Sequence, residues 1–485
     1  MTTPTFFWHD YETFGTDPQR DRVCQFAGIR TDLDFQQIGE PIMAYCKPAI
    51  DYLPHPEACL ITGITPQIAD KNGVREAEFT RLIHAQLAEP GTCGLGYNSL
   101  RFDDEVTRNL LYRNFYDPYA REWQNQNSRW DIIDVARAAR ALRPEGIHWP
   151  VTYEGVATFR LEELTKANNI GHAAAHDALA DVRATIALAR LIRDRQPKLY
   201  QFLFSNRSKT AVQNLLQLGS YTPLVHISGR FAARNNCLAI ILPLCLHPTR
   251  SNEVVVYDLA IDPGPLLECS AAEIQRRLFT ATADLPDGVA RIPLKTVHIN
   301  KCPVLAPLGV IKPDDAKRLE LDINQHLLHL DRLKTAAFLK EKLAQVFTSD
   351  YPTLTEDPDL MIYSGGFFSN RDKASMTKIR AATPAALARL KPDFDDARLP
   401  EMLLRYRARN FPSSLSRQET QDWLAFCRER LQTGLPGNSH TLESFTAKLH
   451  TLQAELGPAQ PILAALRDYA SQLQSALFGK NNVAS

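Results

Sequence analysis

The sequence predicts an α/β domain, then a β-rich domain, then a helical C-terminal domain, and three textures along the chain carry that prediction. Residues 1–195 alternate strand-like and helix-like patterns. They open with three apolar runs at 5–12, 24–31 and 38–46 joined by turn-rich segments, as in an antiparallel meander. After RQPK (195–198) the texture changes. Residues 222–310 carry short β-branched and apolar runs (LVHISG, LAIILPLCL, NEVVVYDLA, KTVHIN) separated by Pro, Asn and Gly, the pattern of a small β domain. A second break falls at YPTLTEDPD (351–359), and residues 351–485 read as helical and polar-faced, with GLPGN (Gly434 to Asn438) as an internal turn. A chain of 485 residues has length for two to four domains with real cores.

Within the first segment, Thr65-Pro66 predicts a helix with Pro at its first position, running to Leu87. CGLGYN (93–98) predicts a fourth strand, and a helical pattern follows from Asp103 to Tyr112. The stretch 161–194 reads as helical with a break at Asn168–Gly171 and a long Ala/Leu-rich helix beginning near Asp177. In the second segment, helical stretches at 264–278 and 314–347 accompany the strands. No internal repeat or low-complexity tract interrupts the chain.

Hydrophobic residues make up 44%, an ordinary globular composition. Net charge is zero, but residues 1–190 carry about −7 and the remainder about +7. An acidic half joined to a basic half suits a metal-dependent enzyme acting on a polyanion, and equally suits domain-to-domain complementarity. Nine scattered cysteines without C-x-x-C spacing argue against a disulfide framework and a structural zinc site. The N-terminus lacks a basic region followed by an apolar stretch, and the run Leu238 to Leu246 is short and contains Pro243. The expectation is a soluble, cytoplasmic, monomeric protein with no membrane partner.

Asp10 and Glu12 stand two apart in the apolar run TFFWHDYETFG. A strand puts residues i and i+2 on one face, so both carboxylates aim at one spot. At an effective dielectric near 20, two like charges about 4 Å apart repel by roughly 4 kcal/mol, and a divalent cation between them offsets that cost. Asp103 follows the fourth strand at a helix start, where an N-cap is its ordinary role. His176 and Asp181, in HDALAD, would ordinarily be a surface histidine and a first-turn acid. Together the four acids and the histidine match one chemistry. Two divalent ions about 4 Å apart clamp the attacking and leaving oxygens of a displacement at phosphorus, and a histidine with a pKa near neutrality takes the proton from water. Five residues on a helix is a rotation of about 140°, so His176 and Asp181 cannot both be helical and face one centre. Asp177 reads as the cap, which leaves His176 on the preceding loop.

In order and spacing, Asp-x-Glu, Asp and His-x4-Asp resemble the DEDDh 3′→5′ exonucleases, which implies an RNase H-like α/β sheet. The related tyrosine subclass needs Tyr four residues before the last acid, where this chain has Asp177. HDYETFG (9–15), ITGITP (61–66), RFDDEVTRNLLYRNFYDPY (101–119), SRWDIIDVARA (128–138), LRPEGI (142–147), FRLEELTKAN (159–168), AHDALADV (175–182), HINKCPVLA (298–306) and YRARNFP (406–412) resemble the bacterial exodeoxyribonuclease I family. That resemblance implies a mixed-sheet exonuclease domain (1–195), an SH3-like β domain that binds DNA (196–350) and a helical C-terminal domain (351–485). It implies magnesium-dependent, processive removal of 5′-mononucleotides from the 3′ end of single-stranded DNA, in DNA repair or recombination. Two Mg2+ ions, with Mn2+ able to substitute, would be held by Asp10, Glu12, Asp181 and Asp103, the last directly or through water. Glu12 would also touch the terminal nucleotide, and His176 would be the base.

A single strand is held by aromatic platforms interleaved with basic residues, and Arg108 to Arg143 has that texture. Tyr112, Phe115 and Trp130 are expected in the core. The resemblance implies strand contacts at Arg108, Tyr119, Trp123 and Arg137, a phosphate contact at Arg160, and an edge at Arg143 for the acidic tail of single-strand-binding protein. Arg405, Arg407 and Arg409 around Tyr406, and Phe367, Phe368 and Arg371, are further candidates for the groove. The catalytic residues read phosphate and metal, not sugar, so an RNA 3′-exonuclease or a proofreading exonuclease fits them equally; the family-like blocks beyond residue 195 argue against both. A catalytically dead binding scaffold is the non-enzyme alternative, and the intact five-residue set argues against it.

Overall fold

The computed structural model describes residues 3–172, 177–337, 339–348, 357–434, 440–457 and 459–479. In space the described chain forms two compact units. One takes in Met1–Ser128, His172–Arg183 and Thr353–Ser485, and the other Arg129–Gly171 and Ala184–Pro352.

The first unit is built on β1 (Thr5–Thr13), β2 (Val23–Thr31), β3 (Ile42–Tyr45) and β4 (Thr92–Gly96), in the order β3-β2-β1-β4. β1 pairs antiparallel with β2 and parallel with β4, so the sheet is mixed. The meander is as expected from the alternating runs, and β2 is buried along its whole length. Thr65 caps the next helix through Ile68 N–H, but that helix stops at Asn72 and a second runs Glu76–Leu87, where the sequence suggested one. The reason is Gly73-Val74. Val74 exchanges backbone hydrogen bonds with Tyr45 and Lys47 at the end of β3 (3.0 and 2.9 Å), and a Cβ on Gly73 would lie 2.4 Å from Ala69 O. Edge pairing has replaced helix propagation there. A helix at Pro56–Thr62, closed by Gly63 in the left-handed region, was not anticipated.

The helices of the C-terminal segment, among them Leu399–Asn410, Arg417–Thr433, Leu442–Leu456 and Pro461–Phe478, pack onto this same unit. Phe14, Tyr52, Leu53 and Cys59 share one core with Trp423, Leu431, Phe445, Leu449, Leu463 and Leu473. A second core gathers Tyr112 and Phe115 with Ile379, Leu399, Met402 and Tyr406, which places Tyr112 and Phe115 in the interior as expected. Arg405, Arg407 and Arg409 do not line a surface. Arg409 reaches Asp51 (2.8 Å) and Asp359 (2.7 Å), Arg405 reaches Asp359 (3.2 Å), and Arg407 holds Glu419 (2.6 Å), all with the guanidinium groups buried. Buried charges persist only when paired, and here the partners range from Glu419, 12 residues from Arg407, to Asp51, 358 residues from Arg409.

The chain enters the second unit through β5 (Ser128–Asp131) and the helix Ile132–Leu142. Trp130 is buried, as expected. β6 (Leu224–Ile227), β7 (Leu238–Leu246), β8 (Glu253–Asp258), β9 (Leu294–His298) and β10 (Val304–Pro307) form an antiparallel sheet in the order β10-β6-β7-β8-β9. Helices cover both faces. Ile240, Leu242, Val255 and Tyr257 pack with Ile274 and Leu330, while Ala239, Ile241, Val254 and Val256 pack with Val212 and Leu216. Burial on both faces explains why LAIILPLCL is apolar throughout instead of alternating. Pro243 sits beside a register shift in the middle strand, where its missing N–H is tolerated. No helix among the described residues is long and apolar enough to cross a membrane.

Candidate active site

β1 sets the site. Its pairing with β4 ends at Trp8↔Leu95, while pairing with β2 continues to Thr13, so Asp10, Tyr11 and Glu12 extend past the end of the parallel neighbour. The Tyr11 N–H donates to Asp103 Oδ1 at 3.1 Å. Asp103 is buried as the first residue of the Asp103–Arg113 helix, and Phe102 holds the N-cap position in its place. Asp181 lies in the first turn of the helix Ala178–Arg195. The sequence assigned Asp177 as the cap of that helix, and its Oδ1 accepts from Ala180 N–H at 3.0 Å. Gln25, paired with Glu12 across the sheet, accepts from Ala178 N–H at 3.5 Å and ties the helix start to β2.

Asp10, Glu12 and Asp181 each bring a carboxylate oxygen to one point, all within 4.8 Å of one another. Asp103 stands behind them, close enough that its charge acts on both Asp10 and Glu12. Burial, then the neighbouring carboxylates Asp103, Glu12, Asp181 and Asp177, pushes Asp10 well above the usual carboxylate range. Burial, then Asp181, Asp103 and Asp177, raises Glu12 to about 8. So many acids with no cation beside them resist ionising together. A divalent ion reverses that, and three hard oxygen donors without sulfur suit one that prefers oxygen.

His176 lies outside the described residues. The histidine that the structure does place at the cluster is His172, whose buried ring bonds Asp181 Oδ1 through Nε2. Sequence spacing singled out His176 alone; His172, nine residues before Asp181, carries no spacing signal and is found only by its contact with that carboxylate.

The expected strand contacts divide by environment. In the first unit Trp123 is 66% exposed and Phe367 88% exposed. Tyr119 meets Phe367 edge-on at 6.2 Å, and a cleft of about 140 Å3 is lined by Tyr112, Tyr119, Phe367, Phe368, Lys373 and Arg380. Arg108 is buried and doubly paired with Glu122 (2.7 and 2.9 Å) and with Glu105 (2.8 Å), beside the Tyr119 ring. Arg371 is exposed and pairs with Asp395 (3.1 Å). In the second unit Arg137 pairs with Asp134 (2.7 Å) against the Phe159 ring, and Arg160 is an exposed helix-start arginine paired with Glu162 (2.7 Å). Arg143 bonds Asp315 (3.2 Å) and Val310 O (3.1 Å), with Arg318 on the other oxygen of Asp315 (3.1 Å).

A mixed sheet with β1 at its centre and three acids converging at its end defines a nuclease-type α/β enzyme. Family models agree along the chain: Exonuclease over residues 7–189, Exonuclease I SH3-like domain over 207–349 and Exonuclease I C-terminal domain over 356–473. Exodeoxyribonuclease I of Escherichia coli (strain K12) is 50% identical over 426 residues, covering 88% of this chain and 89% of that one. The solved exonuclease I of Methylocaldum szegediense superposes with a TM-score of 0.93 at 53% identity, over 97% of this chain and 99% of that one. E. coli exonuclease I in complex with a dA16 oligonucleotide gives 0.93 at 47% identity (97% and 100%), and an ExoI/SSB-Ct complex gives 0.90 at 46% (97% and 100%). The chain belongs to the exodeoxyribonuclease I family and is an exonuclease, a hydrolase.

Proposed function

We propose that this exonuclease removes 5′-mononucleotides processively from the 3′ end of single-stranded DNA, using two Mg2+ ions for which Mn2+ can substitute, in DNA repair or recombination. The observation that carries the reading is the convergence of Asp10, Glu12 and Asp181 within 4.8 Å at the end of β1. In this reading those three carboxylates hold the ions, and Asp103, fixed by the Tyr11 N–H, completes the set directly or through water. Ions bound there would activate a water and offset charge on the phosphate and the leaving oxygen. Glu12 would also meet the terminal nucleotide, and His176 would take the proton from the attacking water. His172 would keep Asp181 oriented through its Oδ1.

The dA16 complex of the E. coli relative supports a single DNA strand as substrate, and the exposed Trp123, the Tyr119–Phe367 pair and the exposed Arg160 supply stacking faces and a phosphate contact here. Arg108 and Arg137, both ion-paired, would turn toward phosphate by exchanging a carboxylate partner. The ExoI/SSB-Ct complex supports a second partner, the acidic tail of single-strand-binding protein, for which Arg143 and Arg318 around Asp315 offer charge. Matched DNA and RNA strands labelled at the 3′ or the 5′ end, digested with magnesium and with chelator, test the reading. Immediate loss of the 3′ label from DNA only, abolished by chelator, is expected; preferential RNA digestion or early loss of the 5′ label would overturn it.

A further inference from the structure

The helix that delivers Asp181 to the carboxylate cluster begins at Ala178, and the first N–H groups of any helix lack partners within it. Asp177 serves the third of them, accepting from Ala180 N–H at 3.0 Å through Oδ1, and its carbonyl takes Asp181 N–H at 3.0 Å. The Ala178 N–H is served from outside the helix, by Gln25 Oε1 at 3.5 Å. Both residues are shut away from water, Gln25 being 1% exposed and Ala178 buried. A side-chain amide accepts only through its oxygen, so this bond sets which way round the amide stands. The nitrogen end is then the donor, and Gln25 Nε2 reaches Tyr45 OH (2.9 Å) and Met43 Sδ (3.7 Å) on β3. Gln25 lies opposite Glu12 in the β1–β2 pairing and opposite Tyr45 in the β2–β3 pairing. Residues directly opposite in an antiparallel pair share a face, so carboxylate, amide and phenol form one row across three strands. The Tyr45 side chain in turn packs on the core that Phe14 and Leu53 share with Phe445 and Leu463.

We propose that Gln25 is a positioning residue for the nuclease site: it fixes the start of the Ala178–Arg195 helix against β2, and with it the distance of Asp181 from Asp10 and Glu12. The inference rests on the reading of those three carboxylates as metal ligands. Asp10 and Glu12 are placed by the ladder of β1, whereas Asp181 arrives from a different element. Their convergence within 4.8 Å therefore holds only while helix and sheet keep their relative position. Asp181 is three residues beyond the anchored Ala178 N–H, inside the same helical turn, so a shift of the helix start carries its carboxylate along. A neutral amide suits this position where a carboxylate would not. It accepts the helix N–H without adding another negative charge beside Glu12, and it donates to Tyr45 at the same time. Through Tyr45 the anchor is braced by the core of the C-terminal helices.

The test follows hydrolysis of oligo-dT by the full-length protein as Mn2+ is varied, for wild type, Gln25→Leu and Asp181→Asn. Gln25→Leu keeps the bulk and removes both hydrogen bonds. It is expected to raise the Mn2+ concentration for half-maximal rate by roughly 10–100-fold, with the rate recovering as Mn2+ is added and KM for oligo-dT unchanged. A merely structural role would lower the melting temperature and leave the metal requirement alone. A folded Gln25→Leu protein with an unchanged Mn2+ requirement, or with a change in KM only, would overturn the inference; loss of activity in Asp181→Asn would then leave the ligand reading standing. Should Asp181→Asn keep both its rate and its Mn2+ requirement, the ligand reading falls and the inference with it. If Gln25→Leu fails to fold, Tyr45→Phe removes only the hydroxyl that steadies the amide. It is expected to raise the Mn2+ requirement in the same direction, and an unchanged requirement would overturn the inference equally.

Discussion

Asp10 and Glu12 were legible because a strand repeats every two residues, and the structure places both on β1 with Asp181 within 4.8 Å. Their order with Asp103 and Asp181 needed only spacing. What spacing could not show is the field they create. Burial and mutual repulsion hold Glu12 at about 8 and Asp10 higher than normal, so at neutral pH the metal-free cluster keeps protons that a cation must expel. Magnesium binding should therefore release protons at pH 7, and the release should fade as pH rises beyond 8. Calorimetry in buffers of different ionisation enthalpy reads this directly, and a buffer-independent heat at pH 7 would refute it. Trp123 was legible as an aromatic in a basic stretch, and its exposure fits a stacking face. Trp123→Ala should weaken binding of oligo-dT by about 1–3 kcal/mol while leaving stability unchanged. Unaltered affinity would remove it from the strand path.

At the scale of elements, the sequence placed β1–β4, β6–β9 and the Asp177 cap, but not β5, β10 or the destination of the basic helix Leu399–Asn410. Alternating arginines on a helix read as a solvated face or a nucleic-acid surface. They are buried because Asp51, 358 residues away from Arg409, and the nearer Asp359 supply the charge that makes burial tolerable. No local pattern announces such partners. The same network includes Glu76, which Arg113 (3.2 Å) and Arg22 (3.5 Å) face and Asn114 bonds (3.0 Å). Although burial alone would raise it, those arginines hold the Glu76 carboxyl down at about 2. Its contribution to stability is full above the unfolded carboxylate range near 4.3 and is lost as pH falls toward 2. Glu76→Gln should cost roughly 3–5 kcal/mol at pH 7, because it strands buried guanidinium charge, and the deficit should shrink between pH 4.5 and 2. Denaturant melts at both ends of that window test it; a deficit that does not change with pH would contradict the assignment.

Over the whole molecule, the texture breaks near 195 and 351 divide the sequence, while packing within the first unit follows burial. Phe445 and Leu449 from the C-terminal segment fill a core begun by Phe14, Tyr52 and Leu53, so the sheet that carries the carboxylates and the helices after residue 357 stabilise one another. Phe445→Ala should therefore destabilise the protein by about 3–5 kcal/mol and lower the melting of the exonuclease sheet together with the helices. Two separated transitions, with only one of them shifted, would show the segments to be independent. The central claim is that Asp10, Glu12 and Asp181 are metal ligands. Its most direct test is the count of Mn2+ bound to wild type and to Asp181→Asn, read by electron paramagnetic resonance of the free ion, with folding verified by circular dichroism. The account predicts at least one fewer Mn2+ in the folded variant, with hydrolysis lost and strand binding kept. A folded Asp181→Asn protein that binds as much Mn2+ as wild type and cuts within tenfold of its rate would contradict it.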